Sequence, residues 1–246
     1  MINDPMTNNQ SQGKLYLLPT TLGSFDTIGS VLPDYNTQVI HGLDIFIVEQ
    51  VRTARRFLSK LKHPIAIDDI EFYELNKHTH ESEVFSFLYG ITGGRSIGLL
   101  SEAGTPCIAD PGASIVKIAH ELGIVVVPLV GPNSIILSLM ASGFNGQNFA
   151  FHGYLPIDKS ALAKRLKELE QRANRDKQTQ IFIETPYRNN QMLSSILKSC
   201  SPNTLLCVAT DLTLPNESII TLPISSWKHK KPDFHKKPTV FLIEKR

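Results

Sequence analysis

Four short loops hold the residues with which this sequence could do chemistry. The first, P-T-T-L-G-S at Pro19–Ser24, directly follows an apolar run. In an open parallel sheet, ligands sit beyond the carboxyl ends of the strands, and a loop of Pro and Gly there lets a ligand approach the backbone closely. An ordinary strand-to-helix turn has the same composition. The spacing is not G-x-G-x-x-G, so it gives no support to a dinucleotide. The second loop, S-E-A-G-T-P-C-I-A-D-P-G at Ser101–Gly112, gathers Gly104, Pro106, Pro111 and Gly112 into one short stretch. It exceeds the usual connection of about two to six residues, and its stiffness would present backbone N–H and C=O groups to a polar ligand such as an amino-acid moiety. The third, V-G-P-N-S-I at Val130–Ile135, sits where one half of the chain gives way to the next. Asn133 or Ser134 can cap the following helix, whose first N–H groups would then face an adenine or a carboxylate. A plain linker with a cap is the other reading. The fourth, I-E-T-P-Y-R at Ile183–Arg188, again ends a strand and opens a helix. Its Glu184–Arg188 pair reads most simply as a surface ion pair worth little.

Nothing stronger accompanies these loops. There is no nucleophile elbow, no zinc-ligand spacing and no phosphate loop with its Lys. The eight histidines are scattered, and His78 and His80 are too isolated to read as ligands. The three cysteines, Cys107, Cys200 and Cys207, match neither a metal site nor a disulfide framework, which suits a reducing compartment. No bound metal is expected.

The elements that must position the loops alternate between strand and helix. Apolar runs predict strands at 14–18, 44–48, 72–75, 96–100 and 124–127. Helices are expected over 51–61, with Ala54, Phe57, Leu58 and Leu61 on one face, and over 81–89. A further helix follows the second loop, with Asp110 as N-cap, Pro111 as first helical residue and Gly123 as its stop. Its apolar face would be Ile115, Val116, Ile118, Ala119 and Leu122. This alternation predicts a mostly parallel first sheet with right-handed crossovers. A helix over 133–141 opens the second half. Strands follow at 148–154, 180–183, 205–209, 217–221 and 239–243, with helices at 160–173 and 187–198. The last two strands lack a clear helix between them, so they should pair as a hairpin in a mixed sheet. The expected domains are a flexible arm at 1–13, an N-terminal α/β domain at 14–130 and a C-terminal α/β domain at 131–246. Low order is expected at 228–237 as well as in the arm.

Composition is that of an ordinary soluble globular protein: 41% hydrophobic and 20% charged, over 246 residues. With 25 Lys and Arg against 23 Asp and Glu, any nucleic-acid surface must be a local patch. Two patches qualify. Arg52, Arg55, Arg56 and Lys60 lie on the helix after the second strand and could meet phosphate, or form a solvated face. Lys228, Lys230, Lys231, Lys236 and Lys237, with Trp227 and Phe234, mix basic charge with aromatics as RNA-binding stretches do, or form a solvated hairpin loop. No apolar run reaches the roughly 18 residues that span a membrane, and the polar N-terminus has no signal core, so a cytoplasmic protein is expected.

Ser101–Gly112 resembles the signature loop of the bacterial ribosomal small-subunit RNA 2′-O-methyltransferases of the tetrapyrrole-methylase superfamily, the class III S-adenosylmethionine-dependent methyltransferases. That family carries Ser-Asp-Ala-Gly-Thr-Pro, an apolar pair, then Ser-Asp-Pro-Gly; this chain has Glu102 for the first Asp and Ala109 for the second Ser. Other segments agree in order: L-Y-L-L-P-T-T-L-G at Leu15–Gly23, the Gly-Pro helix from Gly131 to Gly143, F-H-G-Y-L-P at Phe151–Pro156, Phe182–Arg188, and Ala209–Thr213 with Glu217. The resemblance runs from about residue 14 to 244. Two departures stand out. The family's Glu-Asp-Thr-Arg is here Glu49-Gln50-Val51-Arg52, and the sequence ends at Arg246, where many members of the RNA branch carry a further small helical domain.

The resemblance implies a two-domain tetrapyrrole-methylase-like α/β fold, usually a homodimer, with S-adenosylmethionine in the cleft between the domains. Carried over by position, the cofactor would meet Leu22, Gly104, Thr105, Ile108, Ser134, Ile135, Ile183, Ala209 and Pro238. Substrate would meet Glu49, Arg52, Glu184 and Arg188. The activity implied is methylation of ribosomal RNA of the small subunit, of the ribose 2′-O type. The cofactor brings the reactive carbon and the protein supplies position and electrostatics. Glu49 and Glu184 are the candidates to take the hydroxyl proton, although structural ion-pairing would also account for each. Two alternatives stay open: methylation of a small molecule such as a tetrapyrrole, and a non-catalytic S-adenosylmethionine-binding module, to which Gln50 gives some weight.

Overall fold

The computed structural model describes residues 13–75, 79, 81–227, 229, 230 and 232–245. The expected arm at 1–13, except its last residue, therefore lies outside the described residues, as do His78, His80, Lys228 and Lys231. The chain divides into two compact units, Met1–Pro132 and Asn133–Arg246.

The first unit contains strands β1 (Lys14–Leu18), β2 (Ile45–Val48), β3 (Glu71–Glu74), β4 (Ile97–Leu100) and β5 (Val125–Pro128). Its helices are α1 (Ile28–Val31), α2 (Asp34–His41), α3 (Val51–Lys60), α4 (Glu81–Phe87), α5 (Tyr89–Thr92) and α6 (Ala113–Glu121). The strands form one sheet in the order β3-β2-β4-β1-β5, every neighbour parallel. β2 and β4 are buried along their whole length, which is why their residues read as unbroken apolar runs. Two cores flank the sheet. Phe46, Val48, Phe57, Leu58 and Ile40 pack α2 and α3 on one side. Ile45, Ile47, Leu99, Ile115 and Ile118 pack α4 to α6 on the other. Ala54, Phe57, Leu58 and Leu61 are all buried as their spacing predicts.

Two helical expectations change. The segment at 81–89 is two short helices, broken where the Leu88 N–H donates to Phe85, one residue nearer than an α-helix requires. α6 starts at Ala113 rather than after an Asp110 cap. Asp110 Oδ1 is used inside the loop instead, accepting from the N–H groups of Cys107 (3.1 Å) and Gly112 (2.7 Å). Ile115, Ile118 and Ala119 are buried, Val116 packs against them, and Leu122 is exposed. α6 ends as expected, the Gly123 N–H donating to His120 and the Ile124 N–H to Ala119. α1 and α2 were not anticipated, because α2 buries only Asn36 and Ile40 and so lacks an apolar stripe.

The second unit contains β6 (Phe149–Tyr154), β7 (Thr179–Ile183), β8 (Leu205–Thr210), β9 (Ser218–Pro223) and β10 (Thr239–Glu244), with helices α7 (Ser134–Ser142), α8 (Lys159–Arg175), α9 (Asn189–Ser199) and α10 (Ile224–Trp227). The sheet is mixed, in the order β6-β7-β10-β8-β9, with β6 and β7 parallel and the rest antiparallel. The expected hairpin of the last two strands is replaced by one between β8 and β9. β10 inserts between β7 and β8, because its alternate residues Phe241 and Ile243 join one core while Val240 and Leu242 join the other. A strand apolar on both faces, as β10 is from Val240 to Ile243, belongs at the sheet centre, where both faces are covered. Trp227 and Phe234 are also core: they pack on each other and are 0% and 5% exposed, so neither can stack on a nucleic-acid base. The expected low order at 228–237 is not found at Asp233–Phe234, where Asn190 donates to Asp233 Oδ1 (2.7 Å) and accepts from the Phe234 N–H (2.8 Å).

Candidate functional site

In the first unit, three of the predicted loops emerge side by side from the carboxyl ends of β4, β1 and β5. The chain leaving β1 runs to the α2–α3 face and the chain leaving β4 to the α6 face, so the loops bracket the point where the connections part, the place where open α/β sheets bind ligands. Backbone bonds tie them together. The Thr20 N–H donates to the Gly104 carbonyl (3.0 Å) and the Gly104 N–H to the Thr21 carbonyl (3.3 Å). Ser101 adds a side-chain bond to the Gly104 carbonyl and lies 3.3 Å from the Thr20 hydroxyl. Thr20, Thr21 and Ser101 are buried, so these hydroxyls fix loop shape.

That shape is possible at only a few residue types. Gly104 has φ +73°, and a Cβ there would lie 2.8 Å from both Leu22 Cδ2 and the Pro132 carbonyl oxygen. Gly131 abuts Pro19 so closely that a Cβ would overlap its ring. Cys107 (φ 67°) and Ala109 (φ 57°) also take the left-handed conformation without being glycine. Such residues cost of order 1–3 kcal/mol each and cluster where surroundings over-determine them, as Asp110 does here.

The loops carry an acidic edge. Burial pushes the Glu49 carboxyl above its ordinary range, and Asp110 pushes it further. Glu102 is also raised, first by burial, against lowering by the nearby Thr53 hydroxyl and Gln50 backbone, with Glu49 and Asp110 adding to the rise. Two carboxyls held above their ordinary range beside Asp110 favour a cationic ligand among them. Sequence reasoning singled out Glu49 but not Glu102, Asp110 or Thr53 as site residues. The signal for Glu102 was its place two residues beyond β4. Of the predicted cofactor residues here, Gly104 is buried, Leu22 and Thr105 are half-buried, and Ile108 is 50% exposed. Arg52 is exposed at the start of α3.

In the second unit, three further loops meet at one edge of the sheet. Ile183 pairs with Val240, and Val240 with Ala209, so the ends of β7 and β8 flank the start of β10. The Asp211 N–H donates to the Pro238 carbonyl (3.0 Å), the Lys236 N–H to Pro186 (3.0 Å), and the Asn189 side-chain amide to Lys237 (2.6 Å). Ile183, Ala209 and Pro238 are thereby brought together. Strain gathers here too, at Asp211 (φ 52°), Thr213 (φ 69°) and Lys236 (φ 60°). The Thr213 hydroxyl is buried without a hydrogen-bond partner among the described residues, which costs about 1–3 kcal/mol.

Two readings of this unit are corrected. Glu184 and Arg188 do not form a surface pair. Their side chains are 5% and 29% exposed and 2.6 Å apart, and the same Glu184 oxygen accepts from the Thr185 N–H (2.6 Å). Glu184 therefore holds the turn, and its oxygen is engaged before any substrate arrives. The first N–H groups of α7 are not left to a ligand: Asn133 Oδ1 accepts from Ile135 (3.0 Å) and Ile136 (3.1 Å). The Ile135 side chain is core, packed with Leu139, Ile181 and Val240, while Ser134 is half-buried.

Among the described residues, no helix is long and apolar enough to cross a membrane. No family model matches the chain. It is 33% identical over 215 residues to ribosomal RNA small subunit methyltransferase I of Bacillus subtilis (strain 168), covering 87% of this chain and 68% of the relative. It is 30% identical over 237 residues to the protein of that name from Haemophilus influenzae (strain ATCC 51907 / DSM 11121 / KW20 / Rd), covering 94% and 78%. Among solved structures it resembles the methyltransferase CobJ (TM-score 0.62, 15% identity, 95% of this chain and 94% of that one). It also resembles cobalt precorrin-4 methyltransferase CbiF (TM-score 0.61, 12% identity, 97% and 98%). The latter two likenesses establish the tetrapyrrole-methylase fold of two α/β domains. The glycine-dependent loop after β4, this fold and the relatives agree: the chain belongs to the ribosomal RNA small subunit methyltransferase I family, and it is a methyltransferase.

Proposed function

We propose that this protein transfers a methyl group from S-adenosylmethionine to ribosomal RNA of the small subunit, at a ribose 2′-hydroxyl. The single observation that carries the reading is the loop after β4, whose Gly104 admits no side chain and whose neighbours Glu49, Glu102 and Asp110 form an acidic edge in a chain of this family. The residues fit the cofactor on two counts. An acidic edge with raised carboxyl pKa values at Glu49 and Glu102 suits a sulfonium, and in the second unit the unpartnered Thr213 hydroxyl could take a polar group. Leu22, Gly104, Thr105 and Ile108 in the first unit, and Ser134, Ile135, Ile183, Ala209 and Pro238 in the second, would hold it. Ile135 would do so by van der Waals contact alone, since its N–H is taken by Asn133, its carbonyl by Ser138 and its side chain by the core.

The cofactor supplies an activated methyl carbon. What remains for the protein is to align a hydroxyl with that carbon, exclude water and accept a proton. Glu49 is the better acceptor: it is exposed, and its raised pKa makes its carboxylate a stronger base than an ordinary glutamate. Glu184 is engaged by Arg188 and Thr185 and acts on position instead, with Arg188; Arg52 would meet RNA. An enzyme acting on ribosomal RNA works in the cytoplasm, and the fold family's habit favours a homodimer. A tetrapyrrole-like substrate is suggested only by the fold of CobJ and CbiF.

The test is incubation of the protein with methyl-labelled S-adenosylmethionine and small ribosomal subunits from cells lacking it. Label in the RNA is expected. Tight cofactor binding with no label in any RNA would leave the non-catalytic reading standing.

A further inference from the structure

A groove of about 990 Å³ opens in the first unit between α3 and the loop that follows β1, with Glu102 in its lining. Arg55, Arg56, Lys60 and Lys62 line it, against only Asp26 and Glu102. In a chain whose net charge is +2, four cations on one groove are a local concentration. They are not all spoken for by neighbours. Arg55 pairs with Asp68 and Lys60 with Asp26 (2.6 Å), but Arg56 and Lys62 make no ion pair among the described residues. Both existing pairs are solvent-exposed, so they yield readily to a stronger anion. Arg56 and Lys60 are four residues apart, about 6 Å along the helix axis, and so form a row rather than a point.

Lys62 adds a second, independent observation. It occupies the position just beyond the end of α3, with φ 54°, its N–H donating to Ser59 and the His63 N–H to Leu58. This terminating geometry favours glycine, which adopts it without steric cost. The chain instead keeps an exposed lysine there, giving up backbone comfort for a charge on the groove wall.

We propose that this groove binds the phosphodiester backbone of the RNA substrate, through Arg56 and Lys62 first and through Arg55 and Lys60 once their partners are displaced. The inference rests on the RNA reading above and extends it to a docking surface that includes Glu102. A row of cations, with Phe25 as the one aromatic in the lining, reads charge and position rather than base sequence.

The test uses the full-length protein, its Arg56→Gln/Lys62→Gly double variant, and end-labelled, deproteinised small-subunit RNA as the probe, with affinity measured across a range of KCl. The wild type should bind with an affinity that falls steeply with salt. The variant should bind at least tenfold more weakly near 0.1 M salt, with a log–log slope shallower by about 1.4 to 1.8, the loss of two phosphate contacts. Lys62→Gly alone should unfold at or above the wild-type temperature, so a loss of RNA affinity is not a loss of fold. An unchanged slope overturns the groove assignment while leaving methyl transfer untouched. If the wild type binds S-adenosylmethionine but no RNA, the assignment and the RNA reading fall together. If RNA binding depends on the groove but no cofactor binds, the groove stands and the methyl-transfer reading fails.

Discussion

The Thr53 hydroxyl, in the first turn of α3, donates to Gln50 Oε1 (2.6 Å), and the Glu102 carboxyl from the loop after β4 lies close enough for Thr53 to lower its pKa against burial. The backbone of Gln50, the residue that precedes the helix and gives it no side-chain cap, lowers that pKa further, although burial prevails. The related family has an aspartate at each of positions 50 and 102, by the resemblance described above. Here the shorter acid at 102 is replaced by one a methylene longer, and the acid at 50 by an amide. A negative charge is thus kept at the positive end of α3, supplied from the neighbouring loop.

This arrangement has a pH signature. Burial holds the folded-state pKa of Glu102 above its unfolded value, so the folded protein binds that proton more tightly. Its contribution to stability is present below the unfolded pKa and is lost as pH rises through the folded one. Glu102→Gln keeps an oxygen beside Thr53 and removes the ionisation. Thermal melts should show the variant more stable than wild type at pH 7, with the difference gone near pH 4. A variant equally or less stable at pH 7 would contradict the buried-carboxylate account.

Position 50 gives a second prediction. Asparagine is among the best N-caps and glutamine is not, so Gln50→Asn should stabilise the protein by about 0.5–1 kcal/mol in denaturant titration. Gln50→Asp should gain less, because it adds a carboxylate beside Glu49 and Glu102, where Glu49 already raises the Glu102 pKa. The order of the two variants is the check.

Gly104→Ala tests the loop. A Cβ would meet the Pro132 carbonyl oxygen and Leu22 at 2.8 Å, at a backbone conformation that alanine resists. Destabilisation of about 1–3 kcal/mol is expected, together with weaker S-adenosylmethionine binding in calorimetry under conditions where the variant is folded. Wild-type affinity in a folded Gly104→Ala protein would remove this loop from the cofactor site.

Cys107 lies in the same loop, yet it should be inert. Burial, with Asp110 adding to it, pushes its thiol from the ordinary 9.0 up to about 11. That leaves about 100-fold less thiolate at neutral pH, and alkylation needs the thiolate. Iodoacetamide should label folded Cys107 correspondingly slowly at pH 7.5 and at full speed after unfolding. Fast labelling of the folded protein would show the loop to be more open than its geometry indicates.

Much of this architecture is legible in the residues because the relevant signals are local. β2 and β4 announce themselves as buried apolar runs, and α3 by the spacing of Ala54, Phe57 and Leu58. The four loops carry Gly and Pro at the ends of those elements. The failures share one cause, which is that partners distant in sequence decide them. Asp110 looks like a helix cap, but it is consumed by the loop's own N–H groups. Glu184 and Arg188 look like a surface pair until α9 and the β7 turn bury them. β10 looks like half of a terminal hairpin until its two apolar faces draw it between β7 and β8. Trp227 and Phe234 look available to RNA but fill the second core. Glu102 could not be read as a partner of Thr53, because nothing in a linear sequence brings the two together.

The central claim is that this protein methylates small-subunit ribosomal RNA at a ribose hydroxyl, and nucleoside mass spectrometry tests it most directly. Small subunits from cells lacking the protein would be treated with it and S-adenosylmethionine, then digested and compared with untreated subunits. The account predicts one new nucleoside, heavier by a methyl group on its sugar, and its absence when Gly104→Ala protein is used. A methyl group on a base, or no new nucleoside with protein that binds the cofactor, would contradict it.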